Sequence, residues 1–546
     1  MASAMAIAHC AEHLRGSVTV CDRSVPDFNH VQSMNALSYG GINEAYSQVA
    51  ASSSTESLAC SDAMRDRASE EASFYFDWKT SVVSCDPATP NIVFVLTDDQ
   101  GPWALGAAGN TEIQTPSLDR LAESGLRASR FFCVSPVCSP ARASLLTGQI
   151  PSSHGVHDWL DGTGIGPTAV DYLSGQPLFT DVLAQAGYRC GLSGKWHLGA
   201  NDKPREGFVH WYAHQSGGGP YYDAPMIRNG QPEHVEEYLT YSLTADALDF
   251  VSAEAERDEP FFLAVNYTAP HTPWKDNHPL ELTRLYEDCE FTSCPQEQPH
   301  PWQVEVDGHP AGGESDTRAA LIGYFAAITG VDRGVGQILD LLADRDLLSS
   351  TLVIFSSDNG YNCGHHGIWG KGNATYPQNM YDNSVMVPAI FSQPGRIPAG
   401  RISDDLLSGY DIFRTILDYA GIEHPDQAKS PGRSFAGLLT GRTDWIAGDT
   451  VAVFDEYGPT RMIRTRDWKY VHRWPAGPDE LYDLVGDPGE KRNLVSEPAM
   501  RGRVEEMRHE MSEWFDAFVL TDADGEQLPV RGGGQSGHCR QAGVFA

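Results

Sequence analysis

Positive charge is scarce in this sequence. Its 546 residues carry 39 Lys and Arg against 73 Asp and Glu, a formal net charge of -34. That balance excludes a generally basic surface built for nucleic acid or an anionic membrane. It also repels an anionic substrate, unless a local cluster of cations reverses the sign of the field. Long apolar runs are missing too: nothing approaches the roughly 18 consecutive apolar residues of a membrane span. The opening MASAMAIAHCAEHLRGS contains a short apolar segment unlike a secretory signal. The eleven cysteines, at 10, 21, 60, 85, 133, 138, 190, 289, 294, 363 and 539, are odd in number and contain no CxxC zinc pair. A dense disulfide framework is therefore excluded, and free thiols are expected, with a small Cys289–Cys294 loop as the alternative.

What is present reads as one large α/β enzyme. Residues 1–88 are rich in Ser, Ala and acidic residues with weak periodicity, and are expected to be an N-terminal extension. From about residue 89 the texture changes. NIVFVLTDDQ, FFLAVNYTAPHT and TLVIFSSDNG are each a buried apolar run that ends in polar residues, the pattern of a parallel strand opening into a site. Between them lie SLDRLAESGLRAS, FTDVLAQAGY and LIGYFAAITGVDRGVGQILDLLADRDL, with apolar residues at helical spacing. The alternation predicts a large, mostly parallel sheet sandwiched by helices over 89–425. VAVFDEY, RMIRTRDWKYVHRW and ELYDLV then read as short strands before the helix AMRGRVEEMRHEMSEWFDAF, which predicts a smaller antiparallel sheet plus helix over 426–520. Residues 521–546 read as a Gly-rich tail.

The sharpest local pattern is Cys138-Ser-Pro-Ala-Arg142 followed by ASLLTG. Pro140 opens a helical run, so Cys138 is expected at a helix N-terminus, where backbone N–H groups and the dipole favour an anion. A lone cysteine is more often an inert buried thiol. The whole motif reverses that weighting, because CSPARASLLTG resembles the sulfatase signature CxPxR followed by TG. In that family a maturation enzyme oxidises the cysteine to formylglycine. Asp98 and Asp99 of TDDQ, with Asp358 and Asn359 of SDNG, resemble the two ends of the family's calcium site, to which position 138 also contributes. Either pair alone is an ordinary turn. Two pairs, each at the end of a buried strand, favour a hard cation held by oxygen, calcium ahead of magnesium, and disfavour zinc.

The demand for local positive charge is met by further matches. GKWHLG places Lys195 and His197 on one side of an extended segment and looks like the sulfatase element of the same sequence. TAPHTPW supplies His271, GIWGKGN supplies Lys371, and the signature supplies Arg142. Similarity runs from about residue 90 to about residue 495. It implies the fold of the alkaline phosphatase superfamily, and it favours an extracytoplasmic location although no clear signal peptide is seen.

The mechanism implied by the resemblance is hydrolysis of a sulfate ester. The hydrated aldehyde at position 138 attacks sulfur in line with the leaving alcohol. Calcium, Lys195 and Lys371 neutralise sulfate oxygens, and His271 or Lys371 protonates the departing oxygen. His197 takes the proton whose removal expels sulfate and restores the aldehyde. Metal-bound Asp98 and Asp99 suit ligation better than base catalysis.

Loop aromatics and histidines point to a sulfated carbohydrate as substrate. His365, His366 and Trp369 are candidate sugar contacts by their closeness to Lys371, with His214, Tyr221 and Tyr222 of HQSGGGPYY and His157, Trp159 and Asp161 of HDWLDG as others. Loop packing is the bland alternative for all of them. The sequons at Asn266 and Asn373 lie beside proposed catalytic groups and read as chance matches. Two competing functions use the same residues: a phosphate or phosphonate monoester hydrolase of the same superfamily, and a catalytically dead glycan-binding protein in which Cys138 stays a thiol.

Overall fold

The structure is a computed structural model that describes residues 89–546 apart from 162–163, 307, 424–428, 443–444, 456–458, 476, 531 and 546. The expected N-terminal extension, residues 1–88, lies outside the described residues.

The chain first lays down β1 (Asn91–Thr97), β2 (Leu126–Phe132), β3 (Arg189–Gly194), β4 (Phe208–His214), β5 (Ala224–Arg228), β6 (Gln231–Val235) and β7 (Phe261–Asn266). A short ribbon follows, β8 (Glu305–Val306) and β9 (His309–Pro310), and then β10 (Thr351–Ser357). After a second ribbon, β11 (Asn362–Cys363) and β12 (Trp369–Gly370), come β13 (Met386–Ser392), β14 (Arg401–Ser403) and β15 (Leu407–Ser408). The large sheet has the order β14-β2-β13-β10-β1-β7-β3-β4-β5-β6, with β15 paired to β2. Its centre, β10-β1-β7-β3-β4, is parallel throughout. The sheet as a whole is mixed, because β13 runs antiparallel to both β10 and β2, and β5 and β6 are antiparallel at the other edge.

Both faces of this sheet are covered, which is why its central strands read as continuous apolar runs rather than alternating ones. Val93 and Val95 of β1 face one core with Val353 and Phe355 of β10. Ile92, Phe94 and Leu96 face the opposite core with Leu352 and Ile354. The period of two places successive residues on opposite sides, and both sides are dry. The first core is closed by helices Leu239–Glu254 and Thr317–Asp344, the second by Phe179–Gln185 and Ile412–Ala420. The long helix starts at Asp316, whose carboxylate accepts from the Ala319 N–H at 3.1 Å and so satisfies one of the donors left over at a helix start.

A second sheet, β16 (Thr450–Asp455), β17 (Thr460–Thr465), β18 (Trp468–Arg473) and β19 (Glu480–Asp483), is antiparallel in chain order. Helix Arg501–Phe518 packs Met507, Met511 and Phe515 against Ile463, Tyr470 and Leu481. The i, i+4, i+8 spacing of those three residues supplies its apolar stripe. Residues read as a tail are folded back: Ala523, Val530, Cys539, Val544 and Phe545 form a small buried cluster. No helix among the described residues is long and apolar enough to cross a membrane. All seven described cysteines are free, Cys289 and Cys294 included.

Candidate active site

Parallel register brings the polar strand ends together. Thr97 pairs with Ser357, and Leu96 and Gly194 each pair with Asn266. The residues that follow these strands, Asp98 and Asp99, Asp358 and Asn359, Lys195 and His197, and His271, therefore emerge along one edge of the sheet. Strand β2 has the same direction as β10, being two antiparallel steps away from it. Its continuation delivers the helix Cys138–Thr147 to that edge with Cys138 at the N-terminus. Gly148, in the left-handed region at φ 68, ends this helix, and its N–H bonds to the Ser144 carbonyl.

Cys138 sits among opposite charges. Its thiol donates to Asp98 Oδ1 at 3.3 Å, and Lys371 Nζ donates to its Sγ at 2.8 Å. Lys371 also pairs with Asp99, and Lys195 pairs with Asp98. Arg142 Nε donates to Asp358 Oδ2 at 2.8 Å, and its Nη1 to the Lys195 carbonyl at 2.9 Å. All of these side chains are buried. Arg142 Nη2 is buried and has no hydrogen-bond partner among the described residues. An unmatched buried guanidinium N–H is costly without an anion to receive it.

A hard cation fits the cluster that Cys138 shares with its acidic neighbours. Asp98, Asp99, Cys138 and Asp358 each offer one donor atom, and the four atoms lie within 4.8 Å of one another. Asn359 Nδ2 donates to Asp99 Oδ1 at 2.7 Å, while the buried Asn359 Oδ1 has no hydrogen-bond partner among the described residues. That orphaned oxygen is the kind of group a cation satisfies. The carboxylates ask for it as well. Burial and the neighbouring Asp98 push the Asp358 carboxyl up. Asp98 feels the same burial, but Lys195, His271, Lys371 and Arg142 outweigh it and hold the group well below the usual carboxylate range. Burial, with Asp98 beside it, pushes the Cys138 thiol up to about 12.

The two histidines differ in environment. His197 is held in the left-handed region at φ 58, and its Nδ1 has no hydrogen-bond partner among the described residues. Burial first, then the charges of Lys195 and Arg142, lower its pKa well below the ordinary value of 6.5, so the ring is neutral. His271 Nδ1 lies 2.7 Å from the Thr272 carbonyl, which makes Nδ1 the donor and directs Nε2 towards Asp99 Oδ2 at 3.8 Å. The Tyr221 hydroxyl donates to the His271 carbonyl at 2.7 Å. Tyr221, expected as a sugar contact, thus fixes the histidine's backbone.

Sequence reading missed one part of the site. Gly217, Gly218 and Gly219 lie flat against three histidine rings: an added Cβ would stand 2.1 Å from His197, 3.2 Å from His271 and 2.8 Å from His214. The run GGG was visible, but its partners were not, because they come from separate loops.

A cavity of about 740 Å³ opens over Cys138, His197, His271 and Lys371, and Trp159, Asp161 and Asn373 also line it. His365, His366, Trp369 and His214 are not among the residues that line it. His365 Nε2 bonds to the Ser293 carbonyl at 3.0 Å and its ring packs on Trp103. His366, at φ 54, turns away and stacks on Tyr381 at 3.8 Å, and Trp369 packs against Trp274. His214 is buried behind the glycine run, its Nδ1 at 3.1 Å from the Ser216 carbonyl. His365 and His366 lie in the turn of the β11–β12 ribbon, and Trp369 on β12 pairs with Cys363.

The family described as Sulfatase matches residues 90–422, and that described as N-sulphoglucosamine sulphohydrolase, C-terminal, matches 364–516. An N-acetylglucosamine-6-O-sulfatase of Bacteroides thetaiotaomicron is 26% identical over 510 residues, covering 80% of this chain and 88% of its own. An N-acetylgalactosamine-6-sulfatase of Canis lupus familiaris is 30% identical over 422 residues, covering 71% of this chain and 73% of its own. A solved structure described in complex with its substrate D-glucosamine-2-N,6-O-disulfate shares the fold, with a TM-score of 0.67 at 23% identity over 80% of this chain and 99% of that one. The chain belongs to the sulfatase family and is a sulfatase, an enzyme that hydrolyses sulfate esters.

Proposed function

We propose that the chain is a calcium-dependent carbohydrate sulfatase whose nucleophile is a formylglycine made from Cys138 by a formylglycine-generating enzyme. The observation that carries this reading is the position of Cys138, at a helix start with Lys371 Nζ 2.8 Å from its sulfur and Asp98 on its other side. Asp98, Asp99, Asp358 and Asn359, with the oxidised residue 138, would hold the cation: an all-oxygen set suits calcium or magnesium over zinc, and so many protein ligands in one cage suit calcium ahead of magnesium. When bound, the cation neutralises sulfate oxygens and favours the ionised nucleophile. The aldehyde supplies, once hydrated, one hydroxyl for attack and a second whose deprotonation expels sulfate.

The chain's own residues do the rest. Lys195, Lys371 and Arg142 bring the positive charge that the acidic molecule otherwise lacks, in a buried setting where it acts strongly on a sulfate group. His271, with its Nδ1–H committed to a carbonyl, leaves Nε2 free to carry the second proton of an imidazolium, which it would donate to the leaving oxygen, and Lys371 is the other candidate. His197 serves as base. The names of the relatives support a sulfated sugar, most directly the N-acetylglucosamine-6-O-sulfatase.

Mass spectrometry of the peptide spanning Cys138, after co-expression with the maturation enzyme, is expected to show the aldehyde. The same preparation should release sulfate from sulfated sugars far faster than phosphate from phosphate esters. An unmodified residue 138 in an active preparation would refute the aldehyde, and a preference for phosphate or phosphonate esters would move the reading to that branch of the superfamily.

Replacing His197 by Gln is expected to lower kcat by about 10²–10⁴-fold, the usual contribution of a positioned proton transfer. The pH dependence has a definite sign. A base held well below 6.5 is deprotonated throughout the neutral range, so the acid limb it imposes on kcat/KM falls below pH 6.5. An acid limb centred above 6.5 that disappears in His197→Gln would contradict the assignment.

Gly217→Ala tests the glycine run. Its new methyl would stand 2.1 Å from the His197 ring and displace it. A loss of about 10²-fold in kcat is expected from a base misplaced by about an ångström, with little change in Tm because the run is a surface loop. An unchanged kcat would show that the loop yields instead.

A further inference from the structure

The C-terminal segment reaches the active-site cavity. Ser536 is exposed on its wall, in the same cavity as Cys138. The segment is pinned there by one residue. Gln535 is fully buried, and its backbone forms a bridge to the HDWLDG loop: its N–H donates to the Trp159 carbonyl at 2.9 Å, and its carbonyl accepts from the Asp161 N–H at 3.1 Å and the Tyr172 hydroxyl at 3.0 Å. Its side chain is used at both ends. Oε1 accepts from the His157 N–H at 2.9 Å, and Nε2 donates to the Gly155 and Gly537 carbonyls, each at 2.9 Å. Next to it, the Gly534 N–H donates to Asp158 Oδ2 at 3.0 Å. Gly534 lies at φ 97 with an added Cβ 2.9 Å from Trp159 and 3.1 Å from Asp161, so only glycine lets the segment approach so closely. Behind the wall, the small apolar cluster around Val544 anchors the loop, and the Ser536 N–H donates to the Val544 carbonyl at 3.1 Å.

Positive charge in the lining of this cavity is gathered at the nucleophile, where Asp99 stands with the cations. Among the described residues, its cationic or potentially cationic side chains, His197, His271 and Lys371, all stand at the nucleophile. Beside Ser536 the lining includes Trp159, Asp161 and Tyr172, the three residues whose groups bond to the Gln535 backbone. A second sulfate or a uronate carboxylate placed there would meet a like charge instead of a cation. Hydroxyl groups, by contrast, find an acceptor in Asp161 and both a donor and an acceptor in Ser536.

We propose that Gly534–Ser536 and Trp159–Asp161 together form the leaving-group subsite, and that this subsite takes an uncharged sugar ring carrying its single sulfate into the Cys138 cradle. This rests on the sulfatase reading and deepens it. The C-terminal segment is then a specificity element: it is remote from the bond being broken and acts only on substrates large enough to reach it.

Two variants of the full, matured chain separate this role from a structural one. Ser536→Trp keeps the Gln535 hydrogen bonds but fills the subsite, and Gln535→Ala releases the wall. Each is assayed on monosulfated N-acetylhexosamines and on nitrophenyl sulfate, whose small leaving group needs only the cradle. The expected result is a fall of at least about 10-fold in kcat/KM on the sugar sulfate with nitrophenyl sulfate held within about 3-fold. Wild-type enzyme is further expected to prefer a monosulfated sugar to its disulfated counterpart by at least about 10-fold, since the described residues that line the cavity include no second cationic cluster. Equal losses on both esters, no loss on either, or a preference for the disulfated sugar would overturn the proposal. Failure of wild-type enzyme with a verified aldehyde to cleave any sulfate ester would instead overturn the sulfatase reading beneath it.

Discussion

Cys138→Ala is expected to reduce sulfate release by at least about 10⁴-fold while the protein remains folded, as removal of a covalent nucleophile does in other enzymes. The size of the effect follows from the thiol's surroundings. Burial, with Asp98 beside it, pushes the thiol's pKa up, so the unmodified thiol would be largely un-ionised near pH 7. The Lys371 contact does not rescue it, because burial and Asp98 outweigh the lysine. An unconverted cysteine is thus a poor nucleophile at this position, and a fully converted one has no substitute among its neighbours. The fold should tolerate the change, since the side chain is small and alanine suits the first turn of a helix. Released sulfate would be measured by ion chromatography beside a melting curve. Activity retained in a folded Ala variant would mean that another group attacks sulfur.

Much of this site was legible in the sequence, for a physical reason. A strand buried on both faces is a continuous apolar run, and the place where it stops is where the backbone leaves the core. Asp98, Asp358 and the residues after β7 could therefore be placed at strand ends without coordinates. That the ends meet required parallel neighbours in register, which the alternation of strands and helices implied. Lys195, His197 and Lys371 were found by resemblance to known motifs; spacing alone would not have singled them out. The candidate contacts that stand apart from the cavity lining share a different cause. His365 and His366 are near Lys371 along the chain, but they form the turn of the β11–β12 ribbon, where His366 takes a left-handed conformation and their rings pack on Trp103 and Tyr381. Gly217 and Gln535 carry no chemistry of their own. Their importance lies wholly in what they touch across long separations, His197 in one case and the HDWLDG backbone in the other, and no local pattern encodes such contacts. The segment 521–546 read as a tail because glycine is permissive, and the same permissiveness lets Gly534 fit beneath Trp159.

Asp358→Asn is expected to abolish the response of melting temperature to calcium and to lower kcat/KM by about 10²–10³-fold, the range seen when one electrostatic group of a preorganised site is removed. Asparagine keeps the shape of the side chain and can still accept from Arg142 Nε, so the helix and strand it joins should hold. What is lost is one negative charge from the set that faces the cation. In the parent enzyme, calcium at about 100 times its Kd should stabilise the fold by about 2.7 kcal/mol. For a folded body of this size, with an unfolding entropy near 2.1 cal/mol/K per residue, that corresponds to a rise in Tm of about 3 °C. Chelation should remove the rise and calcium should restore it; in Asp358→Asn neither treatment should move the curve. The sign distinguishes this from simple destabilisation, because a variant that was merely less stable would melt earlier and still respond to the ion. Zinc provides the discriminating comparison. An oxygen set built from Asp98, Asp99, Asp358 and Asn359 suits calcium, whereas stabilisation of the matured parent by zinc alone would require nitrogen or sulfur donors and would sink the ligand assignment.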